Sequence, residues 1–375
     1  MTRQADAGVS PVADAIREAI DRSPQRAISF RDYMNLCLYH VPFGYYNRPA
    51  AKVGKDGDFY TNVSVGTIMG EVLGGYMSRL AERYDPDRPI AVVEWGGGTG
   101  RLAGIVLDTI AARSPDLYER LDYVMIEISP YHRRLQREEL RRHRMVRHAE
   151  ADDWLNEAGE GAVIVFSNEL LDAFPVHIVE RRNGELLEWH VGRDERTDRF
   201  VPVRLPLEPG SPAAVYIERE AIVPREGQLV EANPGALEWI GRIGKRLSEG
   251  AVITIDYGDT ADELYAAHRM RGTLLCYRNH TAHDDPFAYP GEQDMTSHVN
   301  FTALERAGRE AGLTGGTLRT QRQFLLEEGV LDMLTAHDGR DPFGPEARRN
   351  RAVRQLLLGD SGAELFKVLV QTKKR

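Results

Sequence analysis

The sequence predicts an open α/β sheet with mostly parallel strands, a helical segment ahead of it and inserted segments within it. Three observations carry this. From residue 90 onward short apolar runs alternate with helical patterns, which implies parallel pairing through right-handed crossovers. Four glycines, Gly96, Gly97, Gly98 and Gly100, directly follow the first apolar run and open a helix. The spacing between the third and fourth apolar runs is too long for one crossover, so further structure is inserted there. At 375 residues the chain is long enough for one sizeable core plus a satellite.

Each element has its own signal. Ser10-Pro11 supplies an N-cap and a first-turn proline, and Val12, Ile16 and Ile20 then recur at helical spacing. Ser29 with Asp32 repeats the capping pattern before Tyr33, Leu36 and Leu38. A loop over Gly44–Asp58 precedes a helix over Val65–Arg83, closed by Asp85-Pro86 and Arg88-Pro89. Ile90–Trp95 is a buried strand followed by a helix from Thr99 to about Ala112. Leu121–Glu127 is the second strand, and Ser129-Pro130 caps a polar helix to about His143. A weaker strand is expected before Asp152. Ala162–Ser167 and Ala251–Asp256 are clear strands, and Phe366–Val370 is expected to close the sheet edge.

His177–Pro234 carries prolines, an Asn183-Gly184 turn and short alternating runs such as Leu186–Val191, the pattern of a β-rich insertion. Tyr277–Gly359 holds the polar segment His280–Asn300 and two or three helices. The expected division is therefore an N-terminal helical cap and lid (1–89), the first half of the core (90–176) and the β-rich insertion (177–234). The second half of the core (235–276), a second insertion on the acceptor side (277–359) and a C-terminal core strand (360–375) follow.

Composition excludes several classes. The chain is 42% hydrophobic and 28% charged, in the ordinary globular range. A net charge of -9 argues against a general nucleic-acid binder. The basic stretch Arg133–Arg147 is interrupted by Glu138 and Glu139, so it is a solvated helix face or a partner patch. Cys37 and Cys276 stand far apart, which excludes a disulfide framework and a thiolate zinc cage. No run approaches the length of a membrane span, and MTRQADAGVS lacks an apolar signal core. The expected setting is a reducing cytoplasm with no membrane partner; the sequence is silent on oligomeric state.

Glycines between a buried strand and a helix let backbone approach a ligand closely. Gly98–Ala103 also satisfies the GxGxxA pattern of dinucleotide sites, a weak signal alone. Glu94 decides between the two. Its charge at the strand end would repel a pyrophosphate and welcome an ammonium, and S-adenosylmethionine offers an ammonium and a sulfonium with no phosphate. Glu127, at the next strand end, suits the ribose hydroxyls of either cofactor. A P-loop is excluded, since no GK[ST] follows the glycines.

The motifs as a set make the sequence similar to the MidA-like methyltransferases, which include the mitochondrial complex I assembly-factor arginine methyltransferase. The matching residues are Tyr39-His40 with Gly44-Tyr45-Tyr46, Gly57-Asp58-Phe59-Tyr60-Thr61, Glu94–Gly100, and Glu127-Ile128-Ser129-Pro130. Ser167–Val176, Asp256-Tyr257-Gly258, Gly272-Thr273-Leu274, Pro290-Gly291, Asp294-Met295-Thr296 and His298-Val299 continue them, from Phe30 to Leu326 overall. The resemblance implies a class I, Rossmann-like methyltransferase core, S-adenosyl-L-methionine as donor, and a protein arginine or a small molecule as methyl acceptor. Two departures bear on the acceptor: Asn62-Val63-Ser64-Val65 replaces a Ser-Pro-Glu stretch, and Asn300 stands where aspartate is common.

Methyl transfer is an in-line displacement that needs alignment and removal of an acceptor proton. A guanidinium acceptor wants carboxylates that fork onto its N–H groups. Glu169 and Asp172, three apart and expected on one helical turn, are the first candidates, with Asn168 fixing the turn. The alternative is that they cap a helix. Asp256 either positions the acceptor or terminates its strand. His298 is a candidate proton acceptor, against a structural loop role; His280 and His283 with Asp284, Asp285 and Asp294 are too weakly spaced for a metal site. The cofactor set is Glu94, Gly96, Gly97, Gly98, Gly100, Glu127, Ile128, Asn168, and Asp152 at the adenine, with Tyr60 and Thr61 in a lid over it. Asp152 and Asp153 are otherwise helix caps before Trp154. A non-catalytic assembly chaperone on the same fold would show erosion of the glycine loop or of Asn168–Asp172, and both are intact.

Overall fold

The computed structural model describes residues 10–49, 67–157, 161–336, 341, 343–358 and 362–375. The expected lid Gly57–Thr61, with Phe59, Tyr60 and Thr61, and the Asn62–Val65 departure lie outside them. The chain opens with α1 (Pro11–Arg22), β1 (Ile28–Ser29) and α2 (Phe30–Tyr39). Ser29 caps α2 by accepting from the Asp32 amide, whereas the Ser10 hydroxyl turns away from α1 and donates to the Pro290 carbonyl. Next come α3 (Ile68–Ala81), β2 (Ile90–Trp95), α4 (Arg101–Arg113), α5 (Pro115–Arg120), β3 (Leu121–Ile126) and α6 (Pro130–Glu139). Then follow β4 (Val146–Ala149), α7 (Ala151–Asn156) and β5 (Ala162–Asn168).

The β-rich stretch holds β6 (His177–Arg182), β7 (Glu185–Arg193), β8 (Phe200–Pro206), α8 (Pro212–Arg219) and β9 (Leu229–Ala232). It leads to α9 (Pro234–Arg246), β10 (Gly250–Asp259) and α10 (Ala261–Leu264). Three short strands follow, β11 (Leu275–Arg278), β12 (Thr281–His283) and β13 (Asp294–Thr296). The rest is β14 (Val299–Asn300), α11 (Phe301–Glu310), β15 (Thr314–Thr320), α12 (Gln321–Glu327), α13 (Pro345–Leu358), α14 (Gly362–Leu365) and β16 (Phe366–Lys373).

These elements form two compact units. One comprises Met1–Phe59, Ala173–Ala236 and Thr260–His298. Its larger sheet is antiparallel in the order β1-β7-β6-β9 with β8 on β7, and a smaller one runs β12-β11-β13. Phe30, Tyr33, Leu38, Ile178, Cys276 and Met295 share its core, where both cysteines are buried free thiols.

The other unit comprises Tyr60–Asp172, Leu237–Asp259 and Val299–Arg375. Its sheet runs β15-β16-β10-β5-β2-β3-β4, parallel from β10 to β4, with β14 extending β10. Helices bury both faces, which is why β2, β5 and β10 read as continuous apolar runs instead of alternating ones. From β2 the chain builds toward β3 and β4 on one side, and later toward β5 and β10 on the other. That reversal is a topological switch point, and the ligand crevice of an open α/β sheet lies at the carboxyl ends there. The register aligns those ends: Trp95 lies opposite Ile126 and Ser167, and Asn168 opposite Ile255. Among the described residues no helix is long and apolar enough to cross a membrane.

Four expectations are corrected. Phe366–Val370 is not the sheet edge: β16 lies between β10 and β15, antiparallel to both, and the glycine-containing β15 takes the edge. β10 does not stop at Asp256 but continues to Asp259, because Tyr257 pairs with Phe366 and Gly258 with Val299. Residues 277–359 are not one insertion, since the chain passes from one unit to the other between His298 and Val299. Residues 169–176 form no helix, so Glu169 and Asp172 do not share a helical turn; Glu169 adopts a left-handed φ of 53° instead.

Candidate active site

The glycine loop continues the sheet before it leaves it. The Gly96 amide still donates to the Ile126 carbonyl at 2.9 Å, and the loop then turns to start α4. Gly98 has φ of 51°, and a side chain there would meet nothing within 4 Å among the described residues. The backbone is therefore bare toward open space at this one position. Gly100 is left-handed (φ 84°), and a Cβ on it would stand 3.1 Å from the Gln136 Cα. Glycine is needed there for the close approach of α6. Gly96 packs against the Leu170 side chain, and Gly97 lies over Met125 and the Glu94 carboxyl.

Glu94 sits beneath that loop. It is 2% exposed, and its Oε2 accepts from the Tyr123 hydroxyl at 2.7 Å. Burial, with a smaller push from the Glu127 charge, raises its carboxyl to about 7 against the pull of the Tyr123 bond. Its charge would act on a ligand through the loop rather than as an open ligating group. Glu127 follows β3; its Oε1 accepts from the Ser129 amide at 2.9 Å and its Oε2 from Gln136 Nε2 at 3.3 Å. Burial raises this carboxyl too, while Ser129, Gln136, Arg133 and the Gly98 amide favour its charged form. Ile128 beside it is 57% exposed, an apolar surface next to the carboxylate. Asp152 stands in the first turn of α7 and pairs with Arg242 at 2.6 Å. The N-cap position of that helix is Glu150, without a side-chain cap bond, so neither Asp152 nor Asp153 caps it.

The carboxyl end of β5 carries the second half. The Glu169 amide donates to the Ile255 carbonyl at 2.9 Å, and Asn168 Nδ2 donates to Glu169 Oε1 at 3.1 Å. Asn168 Oδ1 and Ser167 Oγ are buried with no hydrogen-bond partner among the described residues. Asp256 Oδ2 accepts from the Leu170 and Leu171 amides at 3.1 and 2.7 Å, and Oδ1 from the Tyr257 amide at 2.9 Å. Asp256 is fully buried, and burial lifts its carboxyl to about 7 despite those backbone donors. It is a positioning residue: it fastens residues 170–172 to β10 and offers no exposed oxygen. Asp172 is 4% exposed at the end of this turn. Leu170 ties the turn to Gly96.

The remaining candidates belong to the first unit. The His298 amide donates to Thr273 Oγ1 at 2.9 Å, and Thr273 is itself held by Glu231. His280 has a left-handed φ of 59° between β11 and β12, and His283 Nδ1 accepts from the Asp285 amide. Asp294 Oδ1 takes the Tyr46 hydroxyl at 2.8 Å. Asn300, in the second unit, is the N-cap of α11 and accepts from the Ala303 amide at 3.1 Å. Asparagine and aspartate cap about equally well, so this departure keeps its chemistry.

Sequence reasoning missed Tyr123, Arg133 and Gln136. Tyr123 lies inside a strand, where a phenol reads as core. Arg133, whose Nε donates to the Glu127 carbonyl, reads as a solvated charge. Gln136 had one available signal, a lone neutral amide two turns after Ser129 in a helix otherwise rich in arginine and glutamate.

Residues 72–317 match a family model described as "Putative S-adenosyl-L-methionine-dependent methyltransferase". The chain is 24% identical over 341 residues to the protein arginine methyltransferase NDUFAF7 homolog, mitochondrial, of Drosophila melanogaster, covering 83% of this chain and 74% of that one. It is 25% identical over 323 residues to the Danio rerio protein arginine methyltransferase NDUFAF7, mitochondrial, covering 81% and 73%. A crystal structure from Burkholderia thailandensis with S-adenosyl-homocysteine bound has 33% identity and a TM-score of 0.85, covering 97% of this chain and 92% of that one. A native crystal structure from the same organism gives 32% and 0.82, covering 97% and 91%. Because the family model spans well over half of the chain, the protein belongs to this family of S-adenosyl-L-methionine-dependent methyltransferases.

Proposed function

We propose that the chain methylates a guanidinium nitrogen of a protein arginine, with the Asn168–Asp172 turn as the acceptor side. One observation carries this: a turn bearing Glu169, Asp172 and a buried Asn168 Oδ1 with no hydrogen-bond partner among the described residues is hung on Asp256 and touches the glycine loop through Leu170. The arginine specificity named for the Drosophila and Danio relatives supports the acceptor class.

The residues fit the donor. Acidic residues at the strand ends and, among the described residues, open space over Gly98 and an Asn168 Oδ1 with no partner suit a cationic nucleoside without phosphate. When bound, S-adenosylmethionine supplies an electrophilic methyl group on a sulfonium. Gly96–Gly100, Glu127 and Ile128 would hold its nucleoside, Glu127 at the ribose, with Asp152 toward the adenine. Asn168 Oδ1 accepts from an ammonium or amide N–H. Glu169 and Asp172 fork onto guanidinium N–H groups, orient one nitrogen and receive its proton.

The test is mass spectrometry of a lysate incubated with the enzyme and methyl-labelled donor, read for label on arginine. Glu169→Gln and Asp172→Asn should each lower turnover by roughly a hundredfold or more while sparing S-adenosylhomocysteine affinity. Label confined to small molecules, or wild-type turnover in both variants, overturns the proposal.

A further inference from the structure

We infer that Gln136 is a positioning residue that fixes the Glu127 carboxylate and the Gly98 peptide together as one ribose-binding surface. The inference rests on the reading of Glu127 as the ribose ligand.

Gln136 is fully buried in a helix of charged residues. Its Nε2 donates to the Gly98 carbonyl at 2.8 Å and to Glu127 Oε2 at 3.3 Å. Its Oε1 faces His148 Nε2 at 2.9 Å. The chemistry fixes the orientation: the amide end that meets a carbonyl and a carboxylate must be the NH2, so the oxygen faces the imidazole. His148 must then donate from Nε2. Burial, Arg137 and Arg133 lower the pKa of His148 and favour the neutral ring. The Gln136 backbone is equally constrained, because Gly100 lets the loop approach its Cα.

Two oxygens determine the plane of a carboxylate. Ser129, on the loop before α6, holds Oε1, and Gln136, two turns later, holds Oε2. Without Gln136 the group keeps the Ser129 and Gly98 amides and the nearby Arg133 charge but loses its side-chain donor on Oε2, and its plane is less firmly set. A vicinal diol needs both carboxylate oxygens in a set plane, so Gln136 should matter to the part of the affinity that depends on the ribose hydroxyls. A merely structural bridge would weaken all ligands alike.

The experiment measures Kd by calorimetry for S-adenosylhomocysteine and for its 2′,3′-dideoxyribose analogue. Wild type should discriminate roughly a hundredfold between them. Gln136→Met should cut that ratio about tenfold while moving the dideoxy analogue's Kd by less than about threefold. Loss of discrimination in Gln136→Met together with Glu127→Gln should be less than additive. An unchanged ratio in Gln136→Met, or an equal loss for both ligands, overturns the role of Gln136 and leaves Glu127 standing. Absent discrimination in wild type overturns the Glu127 reading and this inference with it. If Gln136→Met fails to fold, His148→Leu replaces it, expected to give an intermediate ratio; a wild-type ratio there overturns the inference.

Discussion

Glu94 and Asp256 stand on β2 and β10, the two strands that flank β5, and burial lifts both carboxyls to about 7. Their hydrogen bonds differ. Asp256 gathers three backbone amides, from Leu170, Leu171 and Tyr257, whereas Glu94 has the Tyr123 hydroxyl. A carboxylate has about four acceptor sites. Asp256 spends its sites on holding chain, so it is a clamp whose loss frees the Asn168–Asp172 turn. Glu94 keeps capacity under the glycine loop, so its charge is available to a cation beyond it. Similar burial and a similar final pKa do not imply equal roles; the donors each group has collected separate them.

The largest expected effect comes from breaking the clamp. Asp256→Ala leaves three backbone amides, one buried and two part-buried, without their acceptor, and at 1–3 kcal/mol per orphaned buried donor we expect a stability loss of about 2–4 kcal/mol after partial relaxation. Urea unfolding measures it, and turnover should fall with it because Glu169 and Asp172 lose their anchor. Glu94→Ala should cost less stability than Asp256→Ala. The reverse order would invert the assignment of clamp and reserve.

This asymmetry shows what was legible in the sequence. Strand ends are readable because β2, β3 and β5 are buried on both faces, and acidic residues at those ends stand out against apolar runs. Glu94, Glu127 and the glycine loop stand at such ends, and their placement is legible that way. The helical turn expected for Glu169 and Asp172 was wrong because it used spacing alone. Left-handed Glu169 costs about 1–2 kcal/mol and is maintained by Ile255 and Asp256, partners more than eighty residues away. Likewise β15 took the sheet edge from β16 through pairing that its glycine-rich sequence does not advertise. Nothing local marks such partners.

The next effect is pH dependence. Glu94 moves from an ordinary 4.5 to about 7 and Asp256 from 3.8 to about 7. For a raised acid the folded state holds the proton more tightly than the unfolded chain. Its contribution is therefore complete below the ordinary value and is lost as pH rises through about 7. Unfolding free energy should fall between about pH 4 and 7 and level off above that, with each group contributing on the order of 3–4 kcal/mol. Glu94→Gln should remove one share and leave the other. The same proton opposes a cationic ligand, so affinity for S-adenosylmethionine should rise with pH through about 7 in wild type and stay flat in Glu94→Gln. A flat wild-type profile would show that the Glu94 charge does not reach the ligand.

The smallest effect is the most discriminating. Tyr123→Phe removes the hydroxyl that favours ionised Glu94 and leaves the ring packing in place, at a cost of about 1–2 kcal/mol in stability. With that donor gone, burial acts unopposed and the Glu94 pKa rises further. The midpoint of the affinity–pH profile should move upward from about 7, and at pH 7 binding should weaken about twofold, the change in ionised fraction that a half-unit shift produces. Asp256 shares no donor with Tyr123, so its part of the stability profile should not move. A midpoint that moves while the Asp256 share stays fixed separates the two carboxyls experimentally. If both shift together, the two groups are one coupled system, and the division into clamp and reserve fails.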